Sequence, residues 1–149
     1  MLHANTILNK SALKSRAFEI LNKCYERNLE NSGIIFFNVN SKPFYDMAFC
    51  HGIGGVVFSL YRVSKLIGED NSLSECFSYW KKELLNDLEI FLSIDEDIFY
   101  PQNSFNKQNP SEKHTIDKCN FLNGVVGAGL VLQSIQYDCD DWAQFLGYH

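Results

Sequence analysis

The chain has 149 residues, 46% apolar and 21% charged, which is enough to bury a core and too apolar for a disordered chain. Thirteen basic against eighteen acidic residues leave a net charge of −5, without the clustered Lys and Arg that nucleic-acid binding needs, so no nucleic acid is expected as a partner. No apolar run approaches the ~20 residues that cross a bilayer, so no transmembrane segment is expected. Met1 to Lys10 lacks a basic stretch followed by an apolar core, so the expected location is cytoplasmic.

The expected domain is a single one over 1–149. Its first helix is predicted from about Thr6 to Asn28, where Leu8, Leu13, Phe18, Leu21 and Tyr25 recur near helical spacing. Asn31-Ser32-Gly33 ends it, with Gly33 suited to a left-handed position. Ile34-Ile35-Phe36-Phe37 is too short for a helix and reads as a short strand, and Ser41-Lys42-Pro43 reads as a turn. A second helix is predicted from Gly52 to Gly68 and a third from Ser72 to about Leu92. Asn71 or Ser72 is the expected cap of the third, with Glu75 at capping-box spacing from Ser72. So short a connection makes these two an antiparallel hairpin. Ser93 to Asn120 is polar and reads as a long loop. An apolar helix follows from about Gly124 to Ile135, then a short terminal helix with Trp142, Phe145 and Leu146.

Two segments align without gaps at an offset of 72 residues. Phe49-Cys50-His51-Gly52-Ile53-Gly54-Gly55-Val56 lies over Phe121-Leu122-Asn123-Gly124-Val125-Val126-Gly127-Ala128. The phenylalanine and both glycines of a Gly-x-x-Gly pattern coincide. Glycine costs roughly 0.8–1 kcal/mol in a helix interior, so two glycines in a first turn imply either tight packing or close approach of a ligand. Repeated helical hairpins of this kind build a solenoid or a closed toroid. The expected fold class is all-α.

The cysteines stand at 24, 50, 76, 119 and 139; their odd number and irregular spacing argue against a disulfide framework. Cys50 and His51 adjoin a helix start, where the partial positive charge of the helix favours a thiolate. Thiolate and imidazole are both zinc ligands. The bland alternative is a buried thiol beside a histidine bonded to the backbone. Tyr45 and Asp46, just ahead of the pair, are candidates to line the same site. Cys76, Cys119 and Cys139 read as packing or loop residues, and His3, His114 and His149 as solvent-exposed.

The string Cys50-His51-Gly52-Ile53-Gly54-Gly55 before an apolar helix resembles the Cys-His-Gly motif of the lanthionine synthetase C-like (LanC-like) cyclase family. The second copy from Phe121 to Leu132 resembles that family's C-terminal repeat, and Asp141-Trp142-Ala143-Gln144-Phe145-Leu146 resembles its last helix. The resemblance covers about residues 45–149. It implies a segment of an α/α toroid of helical hairpins, with a zinc ion held by two cysteines and a histidine. It also implies a precursor peptide as substrate, whose cysteine thiols add to dehydroalanine or dehydrobutyrine to form lanthionine thioether rings, as in lantibiotic biosynthesis. Cys50 and His51 take two of the three ligand positions.

The family's other ligand cysteine lies in a Trp-Cys-x-Gly context that is absent here, so the third ligand is not found in this chain. Cys24, followed by Tyr25-Glu26-Arg27, does not match it. The family's acid–base residues come from earlier hairpins. The chain therefore reads as the C-terminal part of such a cyclase, whether a fragment, a split-gene product completed by an upstream LanC-like half or partner enzyme, or a decayed copy. The alternative is a non-catalytic helical interaction module derived from that fold. A toroid glycosidase would need paired carboxylates, and the one dense acidic group, Asp95-Glu96-Asp97, reads as a solvated loop.

Overall fold

A computed structural model describes residues 11–68, 70–98 and 116–147. The described part is mostly helical: α1 (Ser11–Tyr25), α2 (Ile53–Ile67), α3 (Asn71–Leu92) and α4 (Val125–Tyr137), closed by a 3-10 helix at Asp141–Leu146. Between α1 and α2 the chain forms a two-stranded antiparallel sheet, β1 (Phe36–Val39) and β2 (Lys42–Tyr45). The predicted start at Thr6, Pro101 and Pro110 of the long polar segment, and His3, His114 and His149 lie outside the described residues.

Three expectations shift. α1 ends at Tyr25 and not at Asn28, because Asn28 and Asn31 exchange side-chain bonds with the backbone: the Asn28 N–H donates to Asn31 Oδ1 and the Glu30 N–H to Asn28 Oδ1. Such Asx geometry competes with helical bonding. α3 is capped by Asp70, whose Oδ1 accepts the Leu73 N–H at 2.8 Å, and not by Asn71 or Ser72, which are already helical. The described fold is also not purely helical, since a β-hairpin replaces the expected strand and turn. Its turn falls one residue earlier, on Asn40 and Ser41, both in the left-handed region at φ 50° and 63°. A two-residue turn with both φ positive matches the twist of a hairpin. Pro43 is consequently inside β2, opposite Asn38. A two-stranded sheet has only edge strands, so a missing N–H is tolerated there.

The hairpin is held against the C-terminal half of α3. Phe37 and Phe44 stack at 5.1 Å, and Phe44 meets Phe91 of α3 edge-on at 5.8 Å. Lys42 Nζ donates to the Ser93 carbonyl at 2.7 Å. Asp87 of α3 is buried and accepts the Tyr45 N–H of β2. These contacts fix the direction in which the chain leaves β2 and enters the turn before α2.

α3 folds back on α2 across a short connection and also touches α4. α2 and α4 lie side by side and run the same way, since both pairs of ends meet. At their starts, the Cys50 N–H donates to the Leu122 carbonyl at 3.2 Å. At their ends, the Tyr61 hydroxyl donates to Asp138 Oδ1 at 2.9 Å and Arg62 pairs with Asp140 at 2.6 Å. This parallel neighbouring is what a repeat requires. Phe49, Phe58, Phe121 and Trp142 fill the seam between the helices with ring centroids 5.0–5.7 Å apart. Trp142 is anchored by its Nε1–H donating to Ser134 Oγ at 2.7 Å. Among the described residues no helix is long and apolar enough to cross a membrane.

Burial pushes the Asp87 carboxyl up to about 6 from 3.8, against the Tyr45 N–H, which lowers it. A folded-state value above the unfolded one means that the unfolded chain binds fewer protons in that window, so stability falls as pH rises. Asp87 is thus expected to weaken the fold as pH rises from 3.8 to about 6. Across this range the urea midpoint should fall more, or rise less, in the native chain than in the Asp87→Asn variant, which lacks this contribution.

Candidate functional site

The two copies of the glycine pattern build the same turn. In each, the chain curls beneath the helix start and presents its carbonyls to the first helical N–H groups. The Ile53 N–H donates to the Asp46 carbonyl at 2.8 Å, and the Val125 N–H to the Lys118 carbonyl at 2.8 Å. The Gly52 N–H reaches the Ala48 carbonyl at 3.1 Å, and the Gly124 N–H the Asn120 carbonyl at 2.9 Å. All of these pairs are related by the 72-residue offset.

The glycines are needed for this closeness. A Cβ on Gly52 would stand 2.2 Å from the Asp46 oxygen, and one on Gly124 would stand 2.3 Å from the Lys118 oxygen. At Gly55 and Gly127 it would meet the oxygens of Phe49 and Phe121 at 2.2 and 2.1 Å. Of the two readings open at the sequence level, these glycines serve packing, with the chain's own backbone as the close neighbour. Gly127→Ala should destabilise by about 3 kcal/mol, whereas Gly129→Ala, with open space at its Cβ, should stabilise by roughly 0.4–1 kcal/mol. Chemical denaturation of both variants reads the contrast.

Cys50 and His51 sit on the outer bend of the first turn and line one cavity of about 510 Å³ together with Cys24, Arg27, Cys76 and Trp80. His51 Nδ1 stands 2.9 Å from Asp46 Oδ2; the imidazole is one-third exposed and the carboxylate only 4%. The other Asp46 oxygen accepts the Ala48 N–H at 2.9 Å. Asp46 therefore holds the turn through Oδ1, and its Oδ2 stands within ion-pair distance of the ring. Burial raises the Asp46 carboxyl, while the Ala48 N–H and His51 pull it down.

Cys50 Sγ lies 3.0 Å from Asn123 Oδ1 and donates to it. Asn123 is the repeat counterpart of His51, so the thiol touches the other motif loop one residue beyond Leu122, its own counterpart, to which the Cys50 N–H bonds. The expectation of a thiolate favoured by the helix start does not hold. The first N–H groups of α2 are already taken by the carbonyls of Asp46, Met47 and Ala48. Burial, and then the Asp46 charge, push the Cys50 thiol up.

Tyr45 is set apart from this group, its ring packed on Phe36 in the hairpin. Cys24 is in the last turn of α1, not mid-helix, yet it faces the same cavity as Cys50. Cys76 is buried at the cavity wall, and Cys119 and Cys139 are exposed. Asp95, Glu96 and Asp97 are exposed, as a solvated loop would be. Asn123 went unnoticed at the sequence level, although the 72-residue alignment places it on His51.

By donor type, Cys50 and His51 suit zinc, and a carboxylate on the far nitrogen of the imidazole is the usual outer support of a zinc histidine. By number the set is short: among the described residues no group of three His, Cys, Asp or Glu side chains is placed to hold a metal ion. Comparison with protein-family models, with curated proteins and with solved structures returns no match.

Asp46→Asn keeps the acceptor for Ala48 and removes the charge that raises the Cys50 thiol. Alkylation of Cys50, followed by peptide mass spectrometry against pH, should shift to lower pH in this variant. An unmoved profile would remove Asp46 as an electrostatic partner of the thiol.

Proposed function

We propose that the chain is the C-terminal part of a LanC-like cyclase, a segment of an α/α toroid that supplies Cys50 and His51 as two zinc ligands and is completed by upstream hairpins. The observation that carries this reading is the Asp46–His51 contact beside Cys50 at a cavity wall. A carboxylate beside one ring nitrogen is the usual support of a histidine whose other nitrogen holds a metal ion. Because the Cys50 thiol is raised, zinc would have to displace its proton, which makes binding at Cys50 dependent on pH. When bound, zinc would lower the pKa of a peptide cysteine thiol and make it a nucleophile at neutral pH. The substrate would be a dehydrated precursor peptide and the product a thioether ring.

A non-catalytic helical module is the second reading. It is favoured by the Cys50–Asn123 bond, which satisfies the thiol within the fold.

The two readings part on metal. Under the cyclase reading the purified chain holds well under one equivalent of tight zinc, because two donors do not close a site. Cys50→Ala and His51→Ala each remove what is bound, and Cys24→Ala does not. Retention increases with pH, because binding displaces the Cys50 proton. The chain alone does not cyclise a dehydrated peptide. Stoichiometric zinc lost on Cys24→Ala would make Cys24 the third ligand, and zinc indifferent to Cys50 and His51 would leave the second reading.

A further inference from the structure

The repeat shows what an uncovered face of this fold needs. In α4, the face that turns to α2 holds Gly127, Ala128 and Val131, all buried, with Ala128 and Val131 at 0% exposure. A Cβ on Gly127 would stand 2.9 Å from Phe49 Cβ across the seam. The same positions on α2 are Gly55, Val56 and Ser59. There Gly55 and Val56 are half-buried, Ser59 is exposed, and all three line the 510 Å³ cavity.

The opposite faces show the converse. α2 meets the segment just after α4 through Phe58, Tyr61, Arg62 and Lys65, which contact Trp142, Asp138 and Asp140; Phe58 is 1% exposed and Tyr61 6%. On α4 the counterparts of Phe58, Tyr61 and Lys65 are Leu130, half-buried, and Gln133 and Tyr137, exposed, while that of Arg62 is Ser134, buried beneath Trp142 of the same chain. Among the described residues the chain thus carries at one end a covered-type face that meets α1 only across the cavity, and at the other a mostly exposed face at the positions that do the covering.

The seam pair Lys65–Asp138, 2.8 Å apart, has as its repeat counterpart Tyr137 against Leu66. Both are exposed apolar residues, at 72% and 44%. The counterpart of an ion pair inside the chain is thus a pair of exposed apolar residues.

We propose that two copies of this chain associate head to tail, the α4 face of one seated on the α2 face of the next in continuation of the α2–α4 seam. Such a contact is heterologous: the two surfaces differ, so each copy keeps one face open for another until a ring closes or a fibre grows. The proposal rests on the repeat and not on the cyclase reading. An upstream half supplied in trans would compete for the α2 face.

The test uses the full chain and two variants at exposed positions, Ser59→Arg on the α2 face and Gln133→Arg on the α4 face. Thermal melts by circular dichroism confirm that both fold. In light scattering coupled to gel filtration, the wild type should exceed the monomer mass at least twofold at high concentration, and each variant alone should run as a monomer. Mixed, the two variants should form a one-to-one dimer, because each retains the face the other has lost. A monomeric wild type at every concentration, a variant that associates as the wild type does, or a mixture that stays monomeric would each overturn the proposal. Zinc content reads the cyclase question separately, so the two can fail independently.

Discussion

The structure depends on two carbonyl oxygens lying where a side chain would otherwise be. Asp46 and Phe49 place their oxygens 2.2 Å from the Cβ positions of Gly52 and Gly55. This closeness lets seven residues turn beneath a helix and still bond its first N–H groups. It sets the direction of α2, puts Phe49 into the aromatic seam and leaves Cys50 and His51 on the outer bend. The second copy repeats the constraint with Lys118 and Phe121, and so delivers Asn123 to the thiol of Cys50.

Much of this was legible in the residues. The glycine pattern, its 72-residue repeat and the apolar helices that follow it all correspond to elements of the fold, because a glycine that cannot be replaced leaves a mark at a fixed position. The helix ends were less legible. Whether Asn28 stops a helix or Asp70 caps one depends on which of several neighbouring polar side chains turns back to the backbone, and Asp70, Asn71 and Ser72 all have that capacity. The hairpin was half seen: its phenylalanines read as a strand, but Pro43 drew attention from Asn40-Ser41, the dipeptide that makes the turn.

At the site, adjacency in sequence pointed to Cys50 and His51 and to the carboxylate of Asp46. It misjudged the charge state of the thiol. A helix start carries its partial positive charge on unbonded N–H groups, and here the chain's own carbonyls occupy them. The turn that positions the cysteine also buries it, and burial, with the nearby Asp46 charge adding to it, raises the thiol.

The α2–α4 seam joins residues about 72 positions apart, and this distance shapes how the chain reaches its fold. The α2–α3 hairpin closes over a connection of three residues between Ile67 and Asn71, whereas seating α4 closes a loop of some 72, at an entropic cost of roughly 4 kcal/mol. Local contacts form ahead of such distant ones. Phe49, Phe58 and Tyr61 therefore wait uncovered while the long polar segment is spanned, and the last helix acts as the latch of the aromatic seam. During synthesis α4 leaves the ribosome after α2 and α3, so the interval before it arrives is when the nascent chain most needs shielding from its neighbours.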